Sequence, residues 1–312
     1  MKVAVIMNAG AGSIGEDNQR ERAEAIRAAF AAAGVEVELH ACPGAQLTDT
    51  ARTAANSGVD AVVAAGGDGT VSAVATALAG GDVPMAVLPL GTLNHFARDL
   101  GMPDDLTEVA RAIATQTRER VDVGEVNGRV FVNNASIGLY PELVLSRDAE
   151  QKATGHSKYR AMMTAGWRLL RRFPLLLVHL EAGDVALRLR TPFVFVGNNP
   201  YQLSPRALGQ RPLLDRGTLS VYVPRCEGRA KLFWLLTRAI LQRLEAVDDF
   251  EARDVTAVEV VLHHRHHVKV AIDGEVVTMA SPLRFRIRPG ALVVLRGPAA
   301  EAIVAPAAEV AA

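Results

Sequence analysis

The segment Gly66-Gly67-Asp68-Gly69-Thr70 constrains this chain most, because it joins two kinds of secondary structure. The apolar run Asp60–Ala65 precedes it and predicts a buried strand, whereas Val71–Leu78 is typical of a helix. Three glycines allow the turn to adopt positive φ angles and to approach a ligand closely. The first amides of the following helix lack partners within the helix. Together with the helix dipole they favour an anion, most often a phosphate.

Asp68 is the unusual residue in this turn. A carboxylate beside a phosphate repels it, unless a cation lies between them or the carboxylate takes a proton, and both situations are typical of kinases. The structural alternative is an ordinary turn between a strand and a helix, in which Asp68 only caps the helix.

Two further strands are predicted to end in glycine-containing turns. Lys2–Met7 precedes a turn with glycines at positions 10, 12 and 15, and Met85–Leu88 precedes Pro89–Asn94. The first of these turns has the spacing of a dinucleotide fingerprint, but the next strand, Val35–His40, does not end in the acidic residue that would bind a ribose. We interpret it as a second phosphate-facing turn. The helices predicted around these strands are Gln19–Ala33, Thr48–Ser57 and Leu106–Ala114.

Ligands of open α/β sheets gather at the carboxyl ends of the strands, so three such turns predict one site. The length of 312 residues exceeds a usual single core and predicts two domains. After about residue 118 the pattern changes, and a domain boundary is expected near Arg118–Asp122. The second domain is expected to be mostly antiparallel, with these strands: Val121–Val126, Arg129–Ser136, Val185–Arg190, Phe193–Gly197, Thr218–Val223, Val255–Leu262, His267–Ile272, Val276–Met279 and Leu283–Ile287.

Charge and cysteine content exclude several classes of protein. Lys+Arg and Asp+Glu both number 34, so nothing points to nucleic acid as a partner. The two cysteines are too few for a disulfide framework and indicate a reducing cytoplasm. The apolar run at Met1–Met7 is too short for a signal peptide, and the longest internal one, Leu232–Leu241, is interrupted by Arg238. We expect a cytoplasmic protein that at most lies on a membrane surface; its oligomeric state stays open.

Two segments, 155–172 and 229–244, read as basic amphipathic helices that contain Trp167 and Trp234. Such helices favour an anionic membrane surface, but amphipathicity is also what any helix packed on a sheet shows, and both readings stay open. The run His263–His267 is predicted to be a turn between strands, since alternation along a strand gives poor metal geometry. The Asp273-Gly274-Glu275 segment predicts a hairpin turn, with a chemical role only if the fold brings it opposite Gly66–Thr70.

Taken in order, these segments resemble the diacylglycerol kinase catalytic family, which includes sphingosine kinases and bacterial lipid kinases. Gly66–Thr70 matches the family signature, and Pro89–Asn94 is similar to its Pro-x-Gly-Thr-x-Asn turn. Asn8–Gly12 resembles the opening Asn-Pro-x-Ser-Gly loop, with alanines in place of the proline and the serine. The resemblance extends to the hairpin that opens the second domain, Val121–Gly138, and to the late Asp-Gly-Glu, Asp273–Glu275.

The resemblance implies a fold with two domains. Residues 1–120 would form a nucleotide-binding α/β domain similar to that of NAD kinases, with Gly-rich turns at the strand ends. Residues 121–290 would form a mostly antiparallel β-sandwich that binds the acceptor, and residues 291–312 would return to the first domain. ATP would lie in the cleft, with the acceptor alcohol between the domains.

The resemblance also implies roles for individual residues. Asp273 would be the general base that takes the proton of the acceptor hydroxyl, and Glu275 would orient it or help to hold Mg²⁺. Asp68 would act through magnesium or its bound water. The nucleotide and its phosphates would be held by turn residues: Asn8, Gly10, Gly12, Gly66, Gly67, Gly69, Thr70, Gly91, Thr92 and Asn94.

Two positions depart from the family pattern. Bacterial members generally have Asp where this chain has His95 and Arg216, and in some relatives these carboxylates and the signature Asp organise an additional structural Mg²⁺. We therefore expect that structural site to be absent. The hypothesis is that His95 or Arg216 instead satisfies Asp68 by a charge-assisted hydrogen bond. Asp215 would keep a metal role only if its loop shifted by one residue.

The leading interpretation is an ATP- and Mg²⁺-dependent lipid kinase of lipid metabolism, such as phospholipid biosynthesis, which the basic helices would hold at the inner membrane surface. One alternative is a small-molecule kinase of the same superfold, such as an NAD kinase. Another is a nucleotide-binding protein without catalysis. The fingerprint-based reductase comes last, because it leaves Asp68 and Asp273 without a role. The acceptor lipid and the nucleotide preference stay open.

Overall fold

The computed structural model describes residues 1–10, 16–138, 175–182, 185–202, 211, 213–224, 250–263 and 266–298. The two predicted basic helices, 155–172 and 229–244, and Gly12 lie outside the described residues. Within the described residues, no helix has both the length and the apolar character needed to cross a membrane.

The chain forms two compact units. Among the described residues, the first unit contains 1–123, 213–216 and 288–298, and the second contains those of 124–211 and 217–287. The elements of the first unit are β1 (Lys2–Asn8), α1 (Glu16–Ala32), β2 (Glu36–Cys42), a 3₁₀ turn (Gly44–Gln46), α2 (Leu47–Ala55), β3 (Ala61–Gly66), α3 (Asp68–Leu78), β4 (Met85–Pro89), α4 (His95–Asp99) and α5 (Leu106–Thr115).

The later elements are strands. Two of them contribute residues to both units: β5 (Arg118–Val126) and β16 (Leu283–Leu295). The others belong to the second unit: β6 (Arg129–Phe131), β7 (Asn134–Gly138), β8 (Leu176–Ala182), β9 (Val185–Thr191), β10 (Phe193–Asn198), β11 (Leu219–Pro224), β12 (Phe250–Val255), β13 (Ala257–Leu262), β14 (His267–Ile272) and β15 (Glu275–Ala280).

The first unit is built on a parallel sheet in the order β2-β1-β3-β4, to which the end of β16 is added through Val294 and Met85. The apolar stretch Val3–Ile6 is fully buried, as is most of β3, which is what a parallel strand covered on both faces requires. Since β1, β3 and β4 are parallel neighbours, their carboxyl ends lie at one edge of the sheet. Asn8, Gly66 and Pro89 end these strands there.

The second unit contains two antiparallel arrangements. One is a six-stranded sheet in the order β12-β11-β10-β7-β14-β15, and the other pairs β9, β8, β13 and the first part of β16. Apolar side chains from both pack into one core, which includes Ile137, Val196 and Val270 from the first sheet and Val178, Val260 and Phe285 from the second. An α/β N-terminal domain followed by an antiparallel β domain confirms the predicted fold class.

Two predicted strands are each divided in the structure, and the last one is longer by eight residues. Arg129–Ser136 is divided into β6 and β7, because the amides of residues 132–134 donate to the Asp273 carboxylate instead of to a neighbouring strand. Val255–Leu262 is divided at Thr256 into β12 and β13. The last strand continues beyond Ile287 through Pro289 and Gly290, whose amide donates to Asp122 at 2.8 Å.

We predict that Gly124→Ala destabilises the protein by about 1–3 kcal/mol, the usual cost of an overpacked core. A Cβ at this position would lie 2.2 Å from Cζ of Phe131, and that ring is completely buried, so it has no space into which to move. Denaturant unfolding measures the loss. Gly44→Ala is the matched control, because its Cβ would approach nothing closer than 3.7 Å. Equal stability of the two variants would contradict the prediction.

Candidate functional site

Two glycine turns contact each other directly at the carboxyl edge of the parallel sheet. A Cβ on Gly91 would lie only 2.5 Å from Cα of Gly67, and one on Gly67 would lie 3.4 Å from Cα of Gly91. The amide of Leu90 also donates to the carbonyl of Gly66 at 3.1 Å. The turns after β3 and β4 therefore form one surface, and the structure brings together these two groups of predicted site residues.

Thr70 closes the first turn from within. Its side chain lies over Gly66, where a Cβ would be 2.3 Å from the Thr70 hydroxyl oxygen, and its amide donates to the carbonyl of Gly67 at 2.9 Å. Thr70 is only 3% exposed. The residue predicted to hold phosphate is thus also a packing element that makes glycine necessary at position 66.

The N-terminus of α3 offers free donors. Gly67 is its N-cap, in an extended conformation and without a capping side chain. The amides of Asp68 and Gly69 have no hydrogen-bond acceptor among the described residues, as expected for the first turn of a helix. No atom lies within 4 Å of a Cβ placed on Gly69. The protein's own packing does not require glycine there, so this open position suits the approach of an anionic ligand.

Asp68 reaches from α3 to the next helix. Its Oδ1 accepts a hydrogen bond of 3.0 Å from the backbone amide of His95, the first residue of α4. The simple alternative in which Asp68 caps its own helix is therefore not what the structure shows. The predicted partnership between Asp68 and His95 exists through the main chain, whereas the hypothesis had assigned it to a charged side chain.

Asn94 fixes the shape of the second turn. It adopts a left-handed conformation with φ of 47°, accepts from the Gly91 amide at 3.0 Å and donates to the Gly91 carbonyl at 2.9 Å. These two bonds hold Thr92 at the exposed tip of the loop. Leu90 and Leu93 on either side are 37% and 53% exposed, so an apolar rim flanks the turn.

The third predicted turn begins at Asn8, where β1 ends. Asn8 Oδ1 accepts from the amide of Gly10 at 2.9 Å, and the amide of Ala9 donates to the carbonyl of Cys42 on β2 at 2.9 Å. The side-chain amide of Gln19 on α1 donates to the Ala9 carbonyl at 2.5 Å. The start of this loop is thereby attached to its neighbours, while Gly12 lies outside the described residues.

The donor set around Asp68 fits a nucleotide-bound cation better than a metal held by protein alone. Within the described parts of the chain, no three His, Cys, Asp or Glu side chains come together as a metal site. Asp215 and Arg216 are both exposed. Mg²⁺ in kinases is usually bound through one or two carboxylates plus phosphate oxygens and waters, so a single carboxylate beside a phosphate cradle is compatible with it.

The Asp273 carboxylate forms the centre of a second cluster, within the β unit. The Asp273-Gly274 turn joins β14 to β15 with φ angles of 46° and 86°, which confirms the predicted hairpin. Asp273 is 6% exposed, and its carboxylate accepts three backbone amides: Val132 at 2.9 Å, Asn133 at 2.8 Å and Asn134 at 3.1 Å. Such contacts favour the ionised carboxylate and attach the turn firmly to the segment before β7.

The other predicted acidic residue of this turn, Glu275, lies at the surface. It forms an ion pair of 2.6 Å with Arg129 on β6. A network that the sequence did not indicate surrounds the same region, because Tyr201 donates from its hydroxyl to the Asn133 carbonyl at 3.0 Å and Arg211 is fully buried beside it. Burial raises the pKa of Tyr222, so its phenol, which accepts from the Tyr201 amide, stays neutral at physiological pH.

We predict that Gly91→Ala costs about 1–3 kcal/mol of unfolding free energy, since the added methyl would separate the two turns. It would also lie 2.7 Å from Oδ1 of Asn94 and displace that side chain from the Gly91 amide. Thermal and denaturant unfolding measure the effect. Thr92→Ala, in the exposed tip of the same loop, is the control and should leave stability unchanged. A Gly91→Ala variant as stable as this control would show that the turns tolerate separation.

Comparison with known proteins finds one family. Residues 2–126 match the model of the diacylglycerol kinase catalytic domain. The chain is 40% identical over 119 residues to the diacylglycerol kinase of Bacillus subtilis (strain 168). This alignment covers 36% of this chain and 39% of that protein. It is 30% identical over 243 residues to a protein of Pseudomonas syringae pv. tomato named "Probable lipid kinase YegS-like", covering 75% of this chain and 74% of that protein.

The fold comparison agrees with the sequence comparison. A crystal structure described as "a putative diacylglycerol kinase from Bacillus anthracis str. Sterne" superimposes with a TM-score of 0.73 at 25% identity, and the alignment covers 96% of this chain and 98% of that one. The chain aligns with less than half of the length of the B. subtilis relative. With the long match to the P. syringae protein and the matching fold, the chain belongs to the diacylglycerol kinase catalytic-domain family.

Proposed function

We propose that this protein is a lipid kinase that transfers the γ-phosphate of ATP to a hydroxyl of a diacylglycerol-like lipid alcohol. The observation that carries the proposal is the direct contact between the turns at Gly67 and Gly91, beside α3 amides that have no acceptor among the described residues. A family whose relatives are named as diacylglycerol and lipid kinases supports the reaction class.

In this proposal the first unit binds the nucleotide. The amides of Asp68 and Gly69 would donate to phosphate oxygens, and the open space at Gly69 would admit them. Bound Mg²⁺ would neutralise charge on the transferring phosphate. Asp68 is the residue that would hold it, because the bond from the His95 amide orients its carboxylate. Asn8, Gly10, Thr92 and Asn94 would complete the nucleotide site from the two neighbouring turns.

The second unit would supply the acceptor side through Asp273. A carboxylate that three backbone amides hold in place can accept a hydrogen bond from an alcohol and fix its direction. Phosphoryl transfer passes through a loose transition state in which positioning and charge neutralisation matter more than early proton removal. Asp273 is therefore suited to orient the hydroxyl and to take its proton late. Glu275 would help to position the same group.

The membrane part of the proposal depends on sequence alone. Segments 155–172 and 229–244, which lie outside the described residues, would hold the enzyme at an anionic surface on the cytoplasmic side, where a lipid acceptor would be available. The apolar rim at Leu90 and Leu93 would be compatible with a lipid acceptor close to the phosphate turn.

We predict that the wild type labels a lipid from γ-labelled ATP and a bacterial lipid extract, and that Asp273→Asn reduces the rate by about 100-fold or more, the range of general acid–base contributions. Thin-layer chromatography of the product identifies the acceptor. Glu125→Gln is the control, because it also alters a buried carboxylate of the second unit, one that forms an ion pair of 2.7 Å with Arg286. Labelled lipid from Asp273→Asn at the control's rate would refute the base role.

The labelling assay, repeated with a soluble acceptor and combined with a measurement of ATP binding, distinguishes the lipid kinase from the two alternative functions. If only a soluble acceptor such as NAD is labelled, the protein is a small-molecule kinase. If ATP binds in a calorimeter and nothing is labelled, it is a nucleotide-binding protein without catalysis.

We predict that Gly69→Ala weakens ATP binding by about tenfold or more, equivalent to at least about 1.4 kcal/mol, without loss of stability. The added methyl meets no protein atom within 4 Å and would occupy the space proposed for phosphate. Because alanine reduces the freedom of the unfolded chain, the melting temperature should stay equal or rise. Calorimetry with Mg·ATP and thermal unfolding give the two readouts. Unchanged ATP affinity would place the phosphates elsewhere.

A further inference from the structure

Arg211 is a fully buried cation in the second unit, with an exposure of 1%. Its Nη1 donates to the carbonyls of Val132 at 2.5 Å and Asn198 at 3.1 Å, and its Nη2 donates to Oδ1 of Asn133 at 2.8 Å. The guanidinium also lies over the ring of Tyr201, 5.4 Å from its centre. Because a guanidinium does not lose its proton in proteins, a full positive charge is buried at this point.

A single peptide group connects this cation with the Asp273 carboxylate. The carbonyl of Val132 accepts from Arg211, while the N–H of the same peptide group, that of Asn133, donates to Asp273 Oδ1 at 2.8 Å. In a trans peptide the C=O and the N–H point in opposite directions, so the two charges lie on opposite sides of the peptide. Each charge polarises the group in the sense that strengthens the hydrogen bond to the other.

The next peptide group repeats the arrangement with neutral partners. The carbonyl of Asn133 accepts from the Asn198 amide at 2.9 Å and from the Tyr201 hydroxyl at 3.0 Å. Its N–H side, the amide of Asn134, donates to Asp273 at 3.1 Å. Residues 132–134 are therefore held from the carbonyl side by one buried network and from the amide side by the carboxylate.

We propose that Arg211 is a positioning residue for phosphate transfer: it holds the 132–134 backbone in the one orientation in which its amides fix the Asp273 carboxylate. This inference rests on the proposed role of Asp273. Arg211 does not contact the reacting groups in this account; it acts through the peptide between Val132 and Asn133. Loss of its charge would release the segment and misdirect the carboxylate, and a misplacement of 1 Å can reduce a rate by about 100-fold.

The test compares Arg211→Met and Arg211→Lys with the wild type. The Met variant should lower kcat by about tenfold or more with an unchanged KM for ATP, because the nucleotide is bound by the other unit. Lysine keeps the charge and can donate to the Val132 carbonyl, but it lacks the planar fork that serves several acceptors, so it should recover part of kcat. The substrates are γ-labelled ATP and 1,2-dioleoylglycerol micelles, with a bacterial lipid extract in parallel.

Thr191→Val is the matched control, because it also removes a buried polar group and its hydrogen bonds from the second unit. Thr191 is fully buried in the same unit, and its hydroxyl lies within hydrogen-bond distance of the carbonyls of Phe193 and Pro224, neither of which belongs to the 132–134 segment. It should lower the melting temperature and leave kcat unchanged. If Arg211→Met loses no more kcat than Thr191→Val, Arg211 is a structural residue only and the proposal is wrong.

A readout without catalysis keeps the inference testable by itself. Hydrogen–deuterium exchange of the fragment spanning 130–136 should accelerate about tenfold or more in Arg211→Met, and stay at the wild-type rate in Thr191→Val. Unchanged protection of this fragment overturns the inference even if the enzyme is a lipid kinase. Conversely, increased exchange together with an active Asp273→Asn variant means that the proposed base is wrong, while the effect of Arg211 on the segment stands.

Discussion

The close approach of Gly67 and Gly91 is the constraint on which the first unit depends. Neighbouring parallel strands bring the turns after β3 and β4 to one edge of the sheet. A Cβ at position 91 would lie 2.5 Å from the Cα of Gly67, so only glycine fits there. The α3 amides of Asp68 and Gly69 have no acceptor among the described residues, and Thr92 is exposed in the neighbouring turn. Two separate turns thereby form one continuous surface, and the hydrogen bond between Asp68 and the His95 amide connects their helices.

The second unit differs from the first in that it buries two charged side chains, Asp273 and Arg211, whereas the first leaves backbone N–H donors without an acceptor among the described residues. Transferring an ion from water to a protein interior costs several kcal/mol even after relaxation, so Asp273 and Arg211 are stable only because their contacts replace hydration. Three amides meet the carboxylate and three acceptors meet the guanidinium. Because the amides of residues 132–134 donate to the Asp273 carboxylate, this part of the backbone does not pair as a strand. The chain therefore has a break between β6 and β7.

The sequence predicted those features of the fold and of the site that depend on neighbouring residues. The apolar run before Gly66, the glycines of its turn and the Asp273-Gly274 hairpin follow from strand burial and from φ angles that neighbouring residues allow. The partner of Asp68 was predicted only in part, because the sequence gives the residue at position 95 but not whether its ring or its amide is used. Arg211 was missed, since the two partners in the segment it holds, Val132 and Asn133, lie 79 and 78 residues away along the chain and no motif surrounds it.

The contacts of Asp273 also bear on what kind of base a phosphotransferase requires. Three backbone donors bind its oxygens and fix the direction in which the carboxylate points. A mechanism that begins with proton transfer would need a carboxyl made more basic by its surroundings, for example by an apolar pocket. In a loose transition state the attacking oxygen has formed little bond to phosphorus. The direction of the acceptor hydroxyl therefore matters more than the basicity of the group that takes its proton. A carboxylate that the backbone holds in one direction is therefore consistent with phosphate transfer, in which the alignment of the acceptor hydroxyl is the first requirement.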